Sequence, residues 1–292
     1  MNWYEEFGET VRLNVPLAPL TWFGLGGPAK YFVTPTDVDQ LKAILTRLHG
    51  EQIPLYVLGS GANLLVNDQG VDGAVICLSS PEFKKVAIDK TTVTVGAGKD
   101  VQKLVLECTH AGLSGLECLA GIPGSVGGEI KMNAGGAFGD IGSSVQTVTV
   151  MDTNGQVYIR EKDDLVFEYR HSNISAKFIL GATFSLSEDD PQRIMNKVKE
   201  IWMFKKNSQP LADKSAGCIF KNPRGLSAGA LIDQTGLKGT AIGGAEVSAK
   251  HANFITAKNG SKATDVQSLI DLIKQRVRDK FDVELETEVV IW

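Results

Sequence analysis

Apolar residues recur with the period of a helix in several parts of the chain. One set predicts an amphipathic helix and comprises Val38, Leu41, Ile44, Leu45 and Leu48. Thr36 is its predicted N-cap, and Pro54 prevents its continuation. The same period predicts four further helices: one from about Asp100 to Ala111, one from Asp190 with Pro191 in its first turn, one in AGALIDQTG and one from about Thr264.

Alternating apolar and polar residues predict strands between these helices. Residues 86–88 and 93–95 are predicted to pair, and Asn154-Gly155 is the predicted turn of a hairpin in VQTVTVMDTNGQVYIRE. Further strands are predicted at residues 74–78, at 178–186 and in the closing VELETEVVIW. Because strands and helices alternate without regular βαβ spacing, the pattern favours an α+β architecture of two lobes, with a boundary at the helix from Asp190.

Two glycine-rich clusters interrupt this pattern. Residues 121–139, GIPGSVGGEIKMNAGGAFG, contain seven glycines in nineteen positions, and residues 58–66 read LGSGANLLV after a predicted strand. Glycine leaves no Cβ in the way of a ligand, so these loops could bring N–H groups to an anionic or flat group, although tight turns are the simpler alternative. The longer cluster lacks a Gly-Lys-Ser/Thr ending, and Leu64 replaces the third glycine of GxGxxG. A dinucleotide would therefore be held by loops rather than by one helix N-terminus.

Charge and length exclude several classes of protein. The 292 residues suffice for two or three domains of about 100–200 residues. A formal charge of −4 provides no basic surface for nucleic acid or an anionic membrane. The beginning, MNWYEEFGE, is acidic where a signal peptide would be basic, and no apolar run reaches the roughly 18 residues of a spanning helix. We therefore expect a cytoplasmic protein.

The four cysteines lack the spacing of metal ligands. Cys77, Cys108, Cys118 and Cys218 form no CxxC pair, so we predict neither a metal site nor a disulfide framework. Cys77 and Cys108 lie in apolar patterns and are predicted core thiols.

Six strings in fixed order carry a resemblance to a known family. They are YVLGSGANLLV, GIPGSVGGEIKMNAGGAFG, the Tyr-Arg-His-Ser run at 169–172, SAGCIFKNP, KHANFI and the terminal LETEVV. Together they resemble the UDP-N-acetylenolpyruvoylglucosamine reductases, flavoenzymes of bacterial cell-wall synthesis, from about residue 22 to residue 290. The short stretch between Ser172 and Phe178 resembles the family's second type, which lacks a tyrosine-bearing loop.

The resemblance implies a vanillyl-alcohol-oxidase-like (PCMH-type) FAD-binding domain at residues 1–188 and a smaller α+β substrate-binding domain at 189–292. It implies non-covalent FAD, NADPH as reductant and a UDP-sugar as substrate. The residues implied to bind FAD are Leu58, Gly59, Ser60, Gly61, Ala62, Asn63, Leu64, Gly121, Ile122, Pro123, Gly124, Gly127, Gly128, Asn133 and Ile179.

Three implied catalytic residues follow from the same motifs. Arg170 is the cation that would stabilise an enolate, since a guanidinium suits a carboxylate-derived charge. Cys218 stands where many members carry a serine that donates a proton to carbon, and a thiol of pKa about 8.5 is mostly protonated at neutral pH. Glu288 would polarise the substrate carboxylate. The simpler alternatives are a solvated arginine, a small core cysteine and a glutamate that shares an outward face with Glu284 and Glu286.

Substrate contacts are implied at Asn222 and His251, with Lys205 or Lys206 near the diphosphate, although a lysine pair at a helix end is usually a solvated cap. Two other functions remain open: an oxidase or dehydrogenase of the same FAD fold acting on an alcohol or sugar, and a flavin-binding module without activity. We expect no nucleic-acid or membrane partner. The sequence leaves the oligomeric state open, and a monomer is compatible with it.

Overall fold

The computed structural model describes residues 2–292, which divide into two compact units. Unit 1 contains the residues up to Leu13, Lys30–Ser60 and Asp72–Phe204, and unit 2 contains Asn14–Ala29, Gly61–Val71 and Lys205–Trp292. Both units are therefore discontinuous in the chain. The expected division into an FAD-binding domain at 1–188 and a substrate-binding domain at 189–292 stays a prediction.

Five of the six α-helices lie close to where the sequence predicts them, and α3 is the one that the sequence does not single out. The six are α1 Val38–Gly50, α2 Val101–His110, α3 Val126–Lys131, α4 Pro191–Ser208, α5 Ala228–Gln234 and α6 Ala263–Phe281. The prediction of Thr36 as the N-cap of α1 is wrong, because the side chain of Asp37 accepts the hydrogen bond from the Gln40 N–H. A carboxylate is the stronger acceptor at the positive end of a helix.

The strands are short. In chain order they are β1 Val11–Pro16, β2 Pro28–Val33, β3 Leu55–Leu58, β4 Leu64–Leu65, β5 Val71–Cys77, β6 Val86–Asp89, β7 Thr92–Gly96, β8 Leu113–Ser114, β9 Gly135–Gly136, β10 Gly139–Asp140, β11 Val145–Met151, β12 Val157–Glu161, β13 Phe167–Glu168, β14 His171–Ser172, β15 Phe178–Ser185, β16 Ser187–Glu188, β17 Ala241–Ile242, β18 Ala245–Val247, β19 Ile255–Ala257 and β20 Val290–Ile291.

Unit 1 contains two hydrophobic cores, each built by a sheet and the helices that pack on it. A mixed sheet in the order β1-β2-β5-β3 packs against α1, whose buried residues include Leu41 and Ile44. An antiparallel sheet in the order β12-β11-β15-β7-β6 packs against α2, α3 and α4. The predicted pairing of 86–88 with 93–95 and the hairpin around Asn154-Gly155 are confirmed. The second core supports the loop of residues 121–128.

Unit 2 is built around α6, which packs on α5 and on the sheet β17-β18-β19. Its inner residues Val266, Leu269, Ile270, Ile273 and Val277 are buried, as their spacing predicts. The contacts that join the segment 61–71 to this unit include two with its later elements: β4 pairs in parallel with β20, and the Asp68 carboxylate accepts from the N–H groups of Ala263 and Thr264 at 2.7 and 3.1 Å. An acidic side chain from a distant segment therefore caps α6.

The predicted closing strand is largely wrong. Only Val290–Ile291 forms a strand, while Thr287 makes a single bridge to Phe220. The three glutamates of this segment also differ in environment, because Glu284 and Glu286 are exposed whereas Glu288 is half-buried. Residues 286–288 bond to the backbone of residues 219–221 instead of forming a strand of a larger sheet. This tertiary contact decides their burial, and the alternating pattern does not.

Two further features concern the whole described chain. Within residues 2–292, no helix has both the length and the apolar composition needed to cross a lipid bilayer. All four cysteines are thiols; Cys108 is buried in the core as predicted, whereas Cys77 is half-buried. Burial raises the pKa of the Cys108 thiol to about 11.

Candidate functional site

The loop between β3 and β4 presents a run of unused main-chain donors. Within the described chain, the N–H groups of Ser60, Gly61, Ala62 and Asn63 donate no hydrogen bond to another residue, although Gly61 is buried. Buried peptide groups are almost always paired, so the buried Gly61 N–H in particular is a donor available to a ligand. Gly61 has φ +68°, and a Cβ there would lie 2.1 Å from the Leu20 carbonyl oxygen. Only glycine fits at this position.

The loop of residues 121–128 is organised by Gln102 of α2. Its side-chain oxygen accepts from the Gly121 N–H at 2.9 Å, and its Nε2 donates to the carbonyls of Leu119 and Ile122 at 2.9 and 2.6 Å. The N–H groups of Gly124 and Ser125 donate to no residue in the described part of the chain. Pro123, directly before them, has no N–H. Gly124 and Ser125 are therefore the two neighbouring donors that the loop presents.

Packing explains two of the glycines in this loop. A Cβ at Gly124 would lie 1.5 Å from Oε1 of the buried Glu129, and a Cβ at Gly127 would lie 2.9 Å from the Ala97 Cβ. The loop is joined to the other cluster through unit 1, since a Cβ at Gly59 would lie 2.7 Å from the Ser125 Oγ. Tight packing and ligand approach therefore both contribute to the glycine content.

The remaining residues implied to bind FAD lie at strand ends or in the core. Leu58 and Leu64 are buried at the end of β3 and the start of β4, and Ile179 is buried in β15. Asn133 is also buried, with φ +43°. Its side chain donates to the Glu168 carbonyl at 2.9 Å and accepts from the Gly142 N–H at 3.0 Å. Both ends of the Asn133 amide thus bind other parts of unit 1.

Arg170 lies at the tip of a small hairpin in unit 1. Strands β13 and β14 pair Phe167 with Ser172 and Glu168 with His171, which leaves Tyr169 and Arg170 as a two-residue turn. Arg170 has φ +55°, is half-buried, and places its guanidinium carbon 5.2 Å from the centroid of the Tyr169 ring. A left-handed, half-buried arginine differs from the solvated surface charge that is the simpler alternative.

Cys218 lies in unit 2, on a segment that is paired along both sides. On one side, the Ile219 N–H donates to the Asn253 carbonyl at 2.8 Å. The Asn253 side chain also accepts from the Phe220 N–H at 2.9 Å and donates to the Phe220 carbonyl at 2.8 Å. Gly217, directly before Cys218, has φ +77°, and a Cβ there would meet no atom within 4 Å. The thiol therefore follows an open, left-handed glycine.

The other side of the Cys218 segment is paired with the segment that carries Glu288. The N–H of Glu288 donates to the Ile219 carbonyl at 2.8 Å, and the Lys221 N–H donates to the Glu286 carbonyl at 2.9 Å. The Asn63 side chain in turn donates to the Glu288 carbonyl at 3.0 Å. Unit 2 thus brings Cys218 and Glu288 onto neighbouring stretches of backbone, together with Asn63 of the loop between β3 and β4.

The candidate substrate residues of unit 2 differ in exposure. Lys205 is buried and Lys206 is exposed. The simpler alternative, a solvated lysine at a helix end, therefore applies only to Lys206. Asn222 is exposed, and its side chain accepts from the Ala228 N–H at 3.0 Å, at the start of α5. His251 is half-buried, and desolvation, reinforced by the charge of Lys238, lowers its pKa. Its Nδ1 accepts from the Asn253 N–H at 3.2 Å, which fits a neutral imidazole.

Sequence reasoning did not identify Gln102 or Asn253, although both organise segments of the candidate site. Asn253 lies inside the quoted string KHANFI, but a string does not show that the side chain binds a backbone 33 positions away. Gln102 lies on the polar side of α2, where the pattern predicts a solvated residue. Among residues 2–292, no group of three or more His, Cys, Asp or Glu could hold a metal ion.

Two family models match different parts of the chain. A family model described as "FAD binding domain" matches residues 29–159, so the chain is a flavoprotein with a PCMH-type domain followed by a second α+β part. A model described as "UDP-N-acetylenolpyruvoylglucosamine reductase, C-terminal domain" matches residues 209–292. The chain belongs to the family of the UDP-N-acetylenolpyruvoylglucosamine reductases.

Individual relatives support this membership along almost the whole chain. A protein of that name from Clostridium novyi is 38% identical over 285 residues, covering 97% of this chain and 92% of its own length. One from Listeria innocua is 41% identical over 288 residues, with coverages of 96% and 94%. The crystal structure of a UDP-N-acetylenolpyruvylglucosamine reductase from Thermus caldophilus superimposes with a TM-score of 0.82 at 37% identity, covering 97% of this chain and 98% of that one.

Proposed function

We propose that this protein reduces the enolpyruvyl group of UDP-N-acetylglucosamine enolpyruvate to give UDP-N-acetylmuramate, a precursor of peptidoglycan. The observation that carries the proposal is the similarity, over nearly the whole chain, to proteins that bear the name of this reductase. The other two candidate functions, an alcohol or sugar oxidase and an inactive flavin-binding module, have no comparable support.

The residues of the two loops fit FAD. Four consecutive N–H groups, from Ser60 to Asn63, and two more, at Gly124 and Ser125, lack acceptors in the described chain, and a pyrophosphate is an anion that such donors recognise. When bound there, FAD would supply the hydride-transfer chemistry between NADPH and the alkene of the substrate. The protein's own part is to hold the substrate, stabilise charge and deliver a proton.

Arg170 would stabilise the negative charge that is delocalised onto the substrate carboxylate, as an enolate, when a hydride arrives at the β-carbon of the alkene. A guanidinium stays protonated throughout and donates two parallel hydrogen bonds to a carboxylate. The left-handed turn at Arg170 is consistent with this role, since unusual backbone conformations concentrate at functional sites.

Cys218 would donate the proton that completes the reduction at the α-carbon. A thiol that transfers its proton to carbon becomes a thiolate, which solvent reprotonates before the next turnover. Glu288, whose backbone neighbours that of Cys218, would bind the substrate carboxylate in its protonated form. Asn222, His251, Lys205 and Lys206 are the proposed contacts to the UDP part of the substrate. We also propose a cytoplasmic, monomeric enzyme without nucleic-acid or membrane partners.

An anaerobic titration of the purified protein tests the function. We expect a yellow protein that NADPH bleaches and that the enolpyruvyl UDP-sugar then restores to yellow, with one equivalent of each consumed per flavin. The control is the same titration with UDP-N-acetylglucosamine, which lacks the alkene. Bleached flavin that is not reoxidised by the enolpyruvyl sugar contradicts the proposal, and turnover of an alcohol or sugar with oxygen would indicate the oxidase instead.

A further inference from the structure

The hairpin that carries Arg170 is attached to unit 1 by a few specific contacts. Its turn contains a non-glycine residue at φ +55°, a conformation that persists only where the surroundings hold it. The two strands of the hairpin contain two residues each, which is too few to be stable alone. The position of the Arg170 guanidinium therefore depends on what fixes β13 and β14.

Asn133 binds the first strand of this hairpin. Its Nδ2 donates to the carbonyl of Glu168, two residues before Arg170, and its Oδ1 accepts from the N–H of Gly142. Gly142 itself packs against the hairpin, since a Cβ there would lie 2.4 Å from the Phe167 Cγ. The amide of Asn133 thus links the backbone before Arg170 to the 3-10 turn at Ile141–Ser144. Asn133 is only 3% exposed, so water does not readily replace these bonds.

Ser172 binds the second strand to the same part of the chain. Its buried hydroxyl donates to the Lys131 carbonyl at 2.9 Å. Lys131 is the last residue of α3 and Asn133 follows two positions later, and α3 begins at Val126, within the glycine-rich stretch 121–128. The stretch 131–133 therefore connects the hairpin to the glycine loop through a six-residue helix.

We propose that Asn133 is a positioning residue for Arg170, and that its side chain acts on the reaction through Glu168 rather than by contact with FAD. This inference rests on the proposed role of Arg170. It replaces the expectation from the sequence that Asn133 binds the cofactor, because both ends of its amide bind other residues of unit 1. The role is specific: Asn133 should matter for the step that Arg170 assists and not for flavin reduction.

Two variants separate the role in the reaction from the role in folding. Asn133→Gly removes the amide but keeps the left-handed backbone, which glycine adopts without strain. Asn133→Asp keeps an acceptor for the Gly142 N–H but replaces the donor to Glu168 with a carboxylate oxygen, which repels the Glu168 carbonyl. The matched control is Asn14→Gly, because Asn14 is also left-handed, with φ +51°, but is exposed.

Each variant is purified with FAD and measured in four ways: flavin content, thermal midpoint, rate of flavin reduction by NADPH, and rate of flavin reoxidation by the enolpyruvyl UDP-sugar. We expect both Asn133 variants to retain FAD and the NADPH rate while reoxidation slows about 10- to 100-fold, as expected when a reacting group is displaced by about 1 Å. Asn14→Gly should match the wild type in all four measurements.

The same variants combined with Arg170→Ala provide the decisive comparison. If Asn133 acts through Arg170, adding Asn133→Gly to Arg170→Ala will slow reoxidation no further. A further loss in the double variant, a loss of flavin content or an equal loss in both half-reactions would overturn the inference. Wild-type reoxidation by Arg170→Ala alone would refute the role of Arg170 itself, whereas slow reoxidation by Arg170→Ala with normal Asn133 variants would refute only the positioning role.

Discussion

The segment that carries Cys218 and the hairpin that carries Arg170 are both short stretches of extended chain, but they are held in different ways. The Cys218 segment is bonded along both sides: to the carbonyl and the side chain of Asn253 on one, and to main-chain groups of the 286–288 stretch on the other. The Arg170 hairpin depends on side chains: Asn133 and Ser172 attach it to other parts of unit 1, and Asn173 bonds the backbone of Val166 and Asp164 at its base. Main-chain pairing survives most substitutions, whereas a side-chain contact is lost with one.

Because of this difference, the loss of a reactive group can be distinguished from the displacement of its backbone at Cys218 but not at Arg170. At Cys218, the backbone should keep its place when the side chain changes, so a substitution reports on the thiol itself. At Arg170, the effect of removing the guanidinium and the effect of releasing the hairpin are linked. Substitutions in the two regions should therefore have different consequences for activity and for stability.

The largest effect is expected from Cys218→Ala. Loss of a positioned proton donor should slow flavin reoxidation by the enolpyruvyl sugar about 10²- to 10⁴-fold. Reduction by NADPH and the thermal midpoint should stay close to the wild type, because the paired backbone is unchanged. Cys218→Ser should retain more activity than the alanine variant. Stopped-flow traces that are identical for alanine variant and wild type would show that the proton comes from another group.

The next effect concerns stability. Asn253→Ala leaves the N–H and the carbonyl of Phe220 buried without partners, so the free energy of unfolding should fall by about 2–4 kcal/mol. Denaturant unfolding monitored by circular dichroism measures this change. The control is Asn196→Ala on the exposed face of α4, which should change stability by less than about 0.5 kcal/mol. A cost at Asn253 no larger than at Asn196 would mean that main-chain pairing alone holds the Cys218 segment.

A smaller loss is expected at the hairpin. Ser172→Ala removes one buried hydroxyl that donates to the Lys131 carbonyl, which should lower the free energy of unfolding by about 0.5–1.5 kcal/mol. The same denaturant experiment measures it. If the loss equals that of Asn253→Ala, the hairpin is as firmly integrated as the Cys218 segment, and the contrast between the two regions fails.

The smallest effect is a pH dependence at His251. Burial lowers the pKa of this histidine in the folded protein, so the unfolded chain, with a pKa near 6.5, takes up the proton first. The free energy of unfolding should therefore fall as the pH drops below about 6.5. His251→Gln, which does not titrate, should show a weaker dependence between about pH 7 and pH 5. Equal slopes in the two proteins would show that His251 makes no contribution.

The sequence predicted the helices well because their signals are local. The apolar period of residues 38–48 and 264–277 reflects one buried face, and the helices observed there begin within a residue or two of the expected positions. Asn154-Gly155 likewise specifies its own turn. The N-cap of α1 was assigned one residue too early because Thr36 and Asp37 are both suitable, and only the geometry distinguishes them.

The candidate site could be predicted only in part. The motifs identify the residues and, through the resemblance, the family to which the chain belongs. They do not show that Asn133 binds a carbonyl 35 positions away, or that the Glu288 N–H bonds to the carbonyl of Ile219. The period-2 pattern even placed Glu288 with two exposed glutamates, from which its partial burial separates it.

The sequence alone shows five of the six helices, the loops that carry unshielded backbone, and the reactive side chains that the chain contains. The tertiary structure alone decided that the Cys218 and Glu288 segments lie side by side and that a buried asparagine holds the strand leading to Arg170. The reason is physical: helix period and turn chemistry act over a few residues, whereas these hydrogen bonds join positions that only the folded chain brings together.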